Sequence, residues 1–151
     1  MIIEGKFIIK ADINRCWDFF MDIDNLKDYV PGCEETKRID NINFMSIISA
    51  KVGPINVKFK SITTLKEVIS PTYIYAVSKG EDVNKAGRFS QEGYLKLNEI
   101  SERETEMYYR SEISVAGRLS TFGDRVMKGK IKEIEGMFLN SIKNILEQEN
   151  L

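Results

Sequence analysis

The stretch "LSTFGDRVMKGKIKEIEGMFLNSIKNILEQE" (119–149) decides the fold of this chain. Apolar residues fall at Leu119, Phe122, Val126, Met127, Ile131, Ile134, Met137, Phe138, Ile142, Ile145 and Leu146. At ~100° per residue they fill one broad arc, which reads as a single long amphipathic helix over 119–149. About thirty residues give ~45 Å of helix, longer than an ordinary globular helix. Thr121 and Asp124 fit a capping box at its start. Gly123, Gly129 and Gly136 each cost about 1 kcal/mol against alanine inside a helix. Either a strand approaches closely at these positions or the helix bends there. A helix weakened in its first turns also suits a gate.

Such a helix needs a wide apolar surface to lie on, and the rest of the chain supplies one. "IIEGKFIIK" (2–10) reads as a strand. Asp12 is an N-cap candidate, followed at helical spacing by Ile13, Cys16, Trp17, Phe20 and Met21. A second helical turn fits residues 24–29, and "VPGC" (30–33) stops it, because the residue before a proline avoids the helical region. From 36 to 115 the chain reads as strands. "DNIN" (40–43) is a hairpin turn, "VGP" (52–54) a corner between strands, and Ser70-Pro71 another turn. Within "INVKFKSITTLKEVI" (55–69), Ile55, Val57, Phe59 and Leu65 oppose Lys58, Lys60 and Lys66. Phe89, Gln91, Gly93, Leu95 and Leu97 share one face, as do Met107, Tyr109, Ser111, Ile113 and Val115. Tyr73, Tyr75 and Val77 open a further strand, with the two tyrosines assigned to the buried face. Six or seven antiparallel strands result, wet on one side and buried on the other. The expected fold is α+β: one domain over 1–151, with a curved antiparallel sheet around a long C-terminal helix and two short helices after the first strand.

Composition narrows the function. The chain has 151 residues, 42% hydrophobic and 30% charged, with a net charge of −1. That balance fits a folded globular domain and argues against general nucleic-acid binding. No apolar run approaches the ~18 residues of a membrane span. The acid and lysine inside "MIIEGKFIIKAD" (1–12) do not fit a signal peptide. Cys16 and Cys33 then read as free thiols in a reducing compartment, the cytoplasm. Histidine is absent, which removes Ser-His and Cys-His nucleophile pairs and histidine metal sites. Cys33 lies beside Glu34 and Glu35, which disfavour a thiolate, so it reads as a buried structural thiol.

This order of elements resembles the helix-grip fold of the START-like (SRPBCC) superfamily. Within it, the sequence is similar to the carbon monoxide dehydrogenase G-subunit family. The matching stretches are "GKFIIKADINRCWDFFMD" (5–22), "VPGCEE" (30–35), "KVGPINVKFK" (51–60), "GRFSQEGYLKL" (87–97) and "SVAGRLSTFGDRVM" (114–127). The superfamily resemblance implies a cavity between sheet and helix that is open to hydrophobic ligands. The family resemblance implies a non-catalytic accessory protein. Its implied associates are a molybdenum-containing CO-dehydrogenase-type enzyme, the cytoplasmic membrane and a lipophilic, quinone- or lipid-like ligand, with no tightly bound cofactor or metal. Some family members carry a hydrophobic anchor on a longer C-terminal tail. This sequence stops at Leu151, so the expectation is peripheral contact. A helix-grip cyclase- or hydratase-like enzyme is the alternative, with Tyr73, Tyr75, Tyr109 or Lys130 as its acid–base groups. A pure protein-interaction module is a third reading.

The resemblance turns part of the apolar set into candidate cavity lining. The candidates are Trp17 and Phe20 on the first helix, and Phe44, Phe59, Tyr73, Tyr75, Phe89, Gln91, Met107 and Tyr109 on the strands. Phe122, Val126 and Met127 join them from the last helix. Trp17 and Phe20 either pack on the sheet or stand at the cavity mouth. Gln91 and Ser111 either bond to each other or to water, or orient a ligand carbonyl. Arg118, Arg125, Lys128 and Lys132 lie within about 80° on a helical wheel. They read either as a solvated face or as a contact for an anionic membrane or a partner protein. Lys130 falls inside the apolar arc, so it must snorkel, pair or face a wet cavity.

Overall fold

Seven antiparallel strands form one sheet in the computed structural model, which describes residues 1–148. The strands are β1 (Ile2–Ile9), β2 (Cys33–Arg38), β3 (Asn43–Val52), β4 (Ile55–Ile69), β5 (Tyr73–Asp82), β6 (Arg88–Ser101) and β7 (Glu104–Ala116). Their order across the sheet is β1-β7-β6-β5-β4-β3-β2. Every connection from β2 to β7 is therefore a hairpin between neighbours. The chain crosses from one sheet edge to the other through α1 (Ile13–Met21) and a 3-10 turn (Ile23–Asp28). Register shifts at Cys33/Glu35, Leu65/Glu67 and Glu99/Ser101 interrupt the ladders. Bulges of this kind increase twist and bend a sheet into a trough.

Local chemistry explains the turns. Asp12 caps α1, its carboxylate accepting from Arg15 N at 3.0 Å. Asp40 closes the β2–β3 hairpin by accepting from the N–H groups of Ile42 and Asn43 at 2.9 and 2.8 Å. Gly53 holds φ +58 as the first residue of the two-residue β3–β4 loop, where a primed turn requires glycine. The Ser70–Pro71 bond is cis. Asp82, the last residue of β5, is charged yet buried. Its carboxylate accepts from the backbone of Lys58, Ala86 and Asn84 at 2.8, 2.9 and 3.2 Å. Burial works to raise its pKa. The three N–H groups and the nearby Arg118 guanidinium prevail, holding it below the usual carboxylate range.

The long helix differs from expectation at its start. Arg118–Phe122 is a separate 3-10 turn, and α2 runs Asp124–Gln148, about 37 Å. Gly123 separates the two with φ +82 and ψ 160, a conformation closed to other residues. The capping box does not form, because Thr121 Oγ1 donates to Arg118 O at 2.6 Å instead. Asp124 sits in the first turn of α2, where its charge suits the helix dipole. Residue 149, the expected helix end, lies outside the described residues.

Two apolar clusters fasten α2 to the sheet. Towards its C-terminus, Leu139, Ile142 and Leu146 pack with Ile9, Ala11, Cys16, Trp17, Leu97 and Met107. Near its start, Met127 packs with Leu119, Val52, Val57 and Ala86. Fully burying each such side chain contributes ~1.5–3 kcal/mol, enough to outweigh the glycines of the helix. Val126 and Met137, expected on the packing face, are 48% and 53% exposed, while Leu139 is buried. The packing arc is therefore narrower than the apolar pattern suggests. Gly129 and Gly136 also point into open space, so no strand approaches them.

A cavity between sheet and helix

Between the two clusters, α2 spans the middle of the trough on half-buried Ile131, Ile134, Glu135 and Phe138. The strands beneath carry small or polar side chains there. Register places Thr63, Ser78 and Gln91 in one cross-strand row, and Leu65, Ala76, Gly93 and Ser111 in the next. Large residues fill both ends of the trough and small ones its centre, so space remains.

That space consists of two adjoining compartments of about 330 and 340 Å³. Both are lined by Phe20, Val30, Leu95, Tyr109 and Phe138. The first continues over Phe44, Thr63, Ala76, Gln91 and Ser111, and is roofed by Met21, Ile23 and Leu26. The second runs under α2 along Met107, Ile131, Ile134, Glu135 and Leu139. Each volume falls within the ~300–1,000 Å³ range of small-molecule sites.

The polar groups of the cavity are few. Gln91 Nε2 donates to Ser111 Oγ at 3.1 Å, and the Thr63 and Ser78 hydroxyls meet at 2.5 Å. Tyr109 Oη and Glu135 Oε2 are buried, and neither meets a hydrogen-bond partner at good geometry among the described residues. The two groups are close nonetheless. Burial, and then the Glu135 carboxylate beside it, push the Tyr109 phenol well above the ordinary tyrosine range. Gly5 on β1 makes this placement possible, since a Cβ there would stand 2.6 Å from Tyr109 Oη. Glu135 Oε1 lies 3.6 Å from Lys132 Nζ, which also donates to Glu4 O at 3.1 Å. These groups form a polar seam between α2 and β1.

Of the residues expected at the cavity, Phe20, Phe44, Gln91, Met107 and Tyr109 line it. Trp17 does not; it is buried in the cluster at the C-terminal end of α2. Phe122 and Met127 belong to the opposite cluster, and Phe59 packs against it. Phe89 meets Phe59 edge-on at 5.2 Å beyond the cavity. Val126 faces outward. Tyr73 and Tyr75 lie on the convex face, because Ile74, Ala76 and Ser78 pair with Leu95, Gly93 and Gln91. Tyr73 stacks on Tyr94 at 6.2 Å, and Tyr75 Oη donates to Glu92 at 2.8 Å. The 73–77 segment is apolar on both faces, so alternation gives no direction.

The basic residues do not form one stripe. Arg118 precedes Gly123 and is off the wheel of α2. Lys132 is engaged at the seam, while Arg125 and Lys128 are exposed and make no ion pair among the described residues. Lys130 pairs with Glu133 at 3.5 Å on the flank of the helix. Cys33 is half-buried rather than buried. Burial pushes the thiols of both Cys16 and Cys33 up.

The sequence pattern of the carbon monoxide dehydrogenase G-subunit family (CoxG) matches residues 5–147. The chain belongs to this family. Among curated proteins, no sequence relative matches the chain. Among solved structures, the CoxG-family chain is similar to a conserved protein from Geobacillus kaustophilus. That pair is 20% identical with a TM-score of 0.90, over 98% of this chain and 96% of that one. It also resembles a START superfamily protein from Mycobacterium smegmatis (12%, TM-score 0.77, 97% of both chains). A third similar structure is the Zhui aromatase/cyclase from Streptomyces sp. R1128 (12%, TM-score 0.74, 100% of this chain and 96% of that one). At these identities the likeness is one of fold, and it establishes the helix-grip architecture.

Several cavity residues of this CoxG-family chain escape the sequence reading. Met21, Ile23, Leu26 and Val30 form the roof from a segment that reads as a broken helix. Ile74, Ala76 and Ser78 are hidden by the ambiguous strand, but the alternation of Gln91, Gly93 and Leu95 next door is a usable signal. Glu135 sits on the apolar arc of the wheel, and that position marks it. Among the described residues, no helix is long and apolar enough to cross a membrane.

Proposed function

We propose that this protein is a non-catalytic carrier that holds a lipophilic, quinone- or lipid-like molecule in the trough. It would serve a molybdenum-containing CO-dehydrogenase-type enzyme at the membrane surface. The cavity carries this reading. Its walls are aliphatic and aromatic, only a few polar groups converge on them, and membership of the CoxG family supports the choice of partner. A carrier needs an apolar enclosure and a way in, and the roof of Met21, Ile23, Leu26 and Val30 comes from a short 3-10 segment and its flanks rather than from the sheet or α2. Exposed Arg125 and Lys128 in the first turns of α2 would supply basic charge for peripheral contact with anionic lipid.

The test is native mass spectrometry of the purified protein, followed by organic extraction. The expected result is a bound apolar molecule, or uptake of an added short-chain quinone at one per chain. A protein that is empty and takes up neither quinone nor lipid would refute the carrier reading. Co-purification with the molybdenum enzyme tests the partner separately.

One observation favours a second reading, a cyclase-like enzyme. Tyr109 and Glu135 meet at the cavity wall, and Tyr109 is strongly raised. A phenol with a raised pKa is a weak proton donor at neutral pH, so the pair serves better to seal the helix than to drive chemistry. Tyr109→Phe separates the two readings. A carrier keeps its ligand affinity, whereas an enzyme loses turnover of its substrate.

A further inference from the structure

The hydrogen-bonding capacity left over on the cavity floor defines the head of the ligand. This inference rests on the carrier reading above and sharpens it. Start with Gln91, at the centre of the floor. Its Nε2 gives one N–H to Ser111 Oγ, so its second N–H and both acceptor sites of Oε1 have no partner among the described residues. Turning the amide over exchanges the roles and still leaves at least one donor and one acceptor. Ser111 keeps its own O–H. Across the row, Thr63 and Ser78 bond to each other, which uses one of their two hydroxyl hydrogens and leaves the other. The floor therefore offers surplus O–H and N–H donors, and one amide acceptor, within a single patch.

The second observation is what the patch lacks. Among the described residues, the compartment over this floor is lined by no Asp, Glu, Lys or Arg side chain. The adjoining compartment has one, Glu135, whose Oε1 is turned to Lys132 at the seam and whose Oε2 is buried. A buried charge is strongly penalised unless it is paired. An anionic head would find hydrogen bonds here but no cation, and a cationic head would find no free anion.

Position makes the patch specific. Gly93 adjoins Gln91 and Ser111, and a Cβ there would stand 2.5 Å from Ser111 Oγ. The glycine thus keeps the Ser111 hydroxyl seated beside the Gln91 amide. Around the patch the walls are Phe20, Phe44, Leu65, Ile74 and Phe138, which suit a flat or chain-like apolar body.

We infer that the Thr63–Ser78–Gln91–Ser111 patch selects ligands with an uncharged, carbonyl-bearing head and rejects ionised lipids of the same length. Ketones, quinones and amides belong to the accepted class. Fatty-acid carboxylates and phospholipids do not. Gln91 is the specificity-determining residue, through its free N–H, which donates to the carbonyl oxygen of the head.

The test uses a matched pair, 2-tridecanone and dodecanoate, titrated calorimetrically into the full chain at pH 8. The ketone should bind at least ~100-fold more tightly. Dodecanoate should gain affinity as the pH falls towards its own pKa. Gln91→Leu should weaken the ketone about 10-fold while leaving tridecane, a hydrocarbon with no head, unchanged. The tridecane arm also reports whether the variant keeps its cavity. Equal binding of ketone and carboxylate at pH 8 would overturn head-group selection while leaving the carrier reading standing. An equal loss of ketone and tridecane in Gln91→Leu would overturn the role of Gln91. Failure of all three probes to bind the wild type would sink both this inference and the carrier reading.

Discussion

Three glycines in and beside α2 sit in the same kind of open space, yet replacing them should have opposite effects. Gly129 and Gly136 have helical backbone, and a Cβ at either would meet nothing within 4 Å. Alanine therefore adds no clash and removes the helix penalty of glycine, about 0.8–1.0 kcal/mol at each site. The two are two turns apart with no shared side-chain contact, so their effects add. Gly129→Ala/Gly136→Ala should gain about 2 kcal/mol and raise the Tm by roughly 4–8 °C for a chain of this size. Gly123 also faces empty space, but its φ of +82 and ψ of 160 are closed to alanine. Gly123→Ala should lose about 1–3 kcal/mol. Urea unfolding monitored by circular dichroism reads all three, with the m-value unchanged in each. Loss of stability in Gly129→Ala/Gly136→Ala would refute the reasoning, since it would mean that something packs on the outer face of α2. The same pair tests the gate. If bending of α2 admits the ligand, the stiffened helix should slow ligand release without changing which ligand binds.

Further outcomes follow from the same geometry. Asp82→Ala strands three backbone donors and should cost about 2–4 kcal/mol, read as a lower urea midpoint. The pKa of Asp82 is lowered in the folded state, so its contribution is full above the usual carboxylate range. It should be lost as the pH falls through the lowered value, and acid titration of the wild type minus Asp82→Asn isolates it. Arg125→Glu/Lys128→Glu should weaken sedimentation with phosphatidylserine-containing vesicles by about 10-fold or more, at ~1 kcal/mol per basic residue near the lipid. Binding that is indifferent to both the variant and the salt concentration would remove these residues from the membrane contact. Ala76→Phe projects into the cavity rather than into packed core. It should keep the unfolding free energy within about 1 kcal/mol while reducing ligand uptake at least ~10-fold. An unchanged uptake would move the ligand elsewhere.

The fold is legible because its periodicities are strong where burial is one-sided. On β4, β6 and β7 the inward residues alternate with charged, serine and tyrosine side chains, and each of those faces is assigned correctly from the sequence. The start of α2 is misread for a physical reason. The apolar pattern continues through Leu119 and Phe122, and only the backbone of Gly123 shows that two helical pieces meet there. β5 fails differently: Tyr73, Tyr75 and Val77 face water, and tyrosine rings tolerate that by stacking and by donating to Glu92. Trp17 and Phe20 illustrate why a helix face alone does not yield a site. Both lie on the apolar side of α1, but only Phe20 reaches past the end of the packed cluster.

The cavity itself is a consequence of where the sequence places its bulk. A trough with large side chains along its whole length would close on α2 and become ordinary core. Here the ends carry Trp17, Leu97, Met107 and Ile142 on one side, and Val52, Val57, Leu119 and Met127 on the other. The middle carries Ala76, Ser78, Gly93 and Ser111. In a protein evolved only for stability those central positions are the easiest to enlarge, since each added methylene buried there gains ~0.8 kcal/mol. Keeping them small leaves that gain unrealised, and two of them, Ser78 and Ser111, carry hydroxyls that hydrogen-bond within the cavity. A structural core has no use for that combination. The proposed carrier would use it: apolar walls would hold the body of a ligand while a neutral patch fixed its head without trapping it.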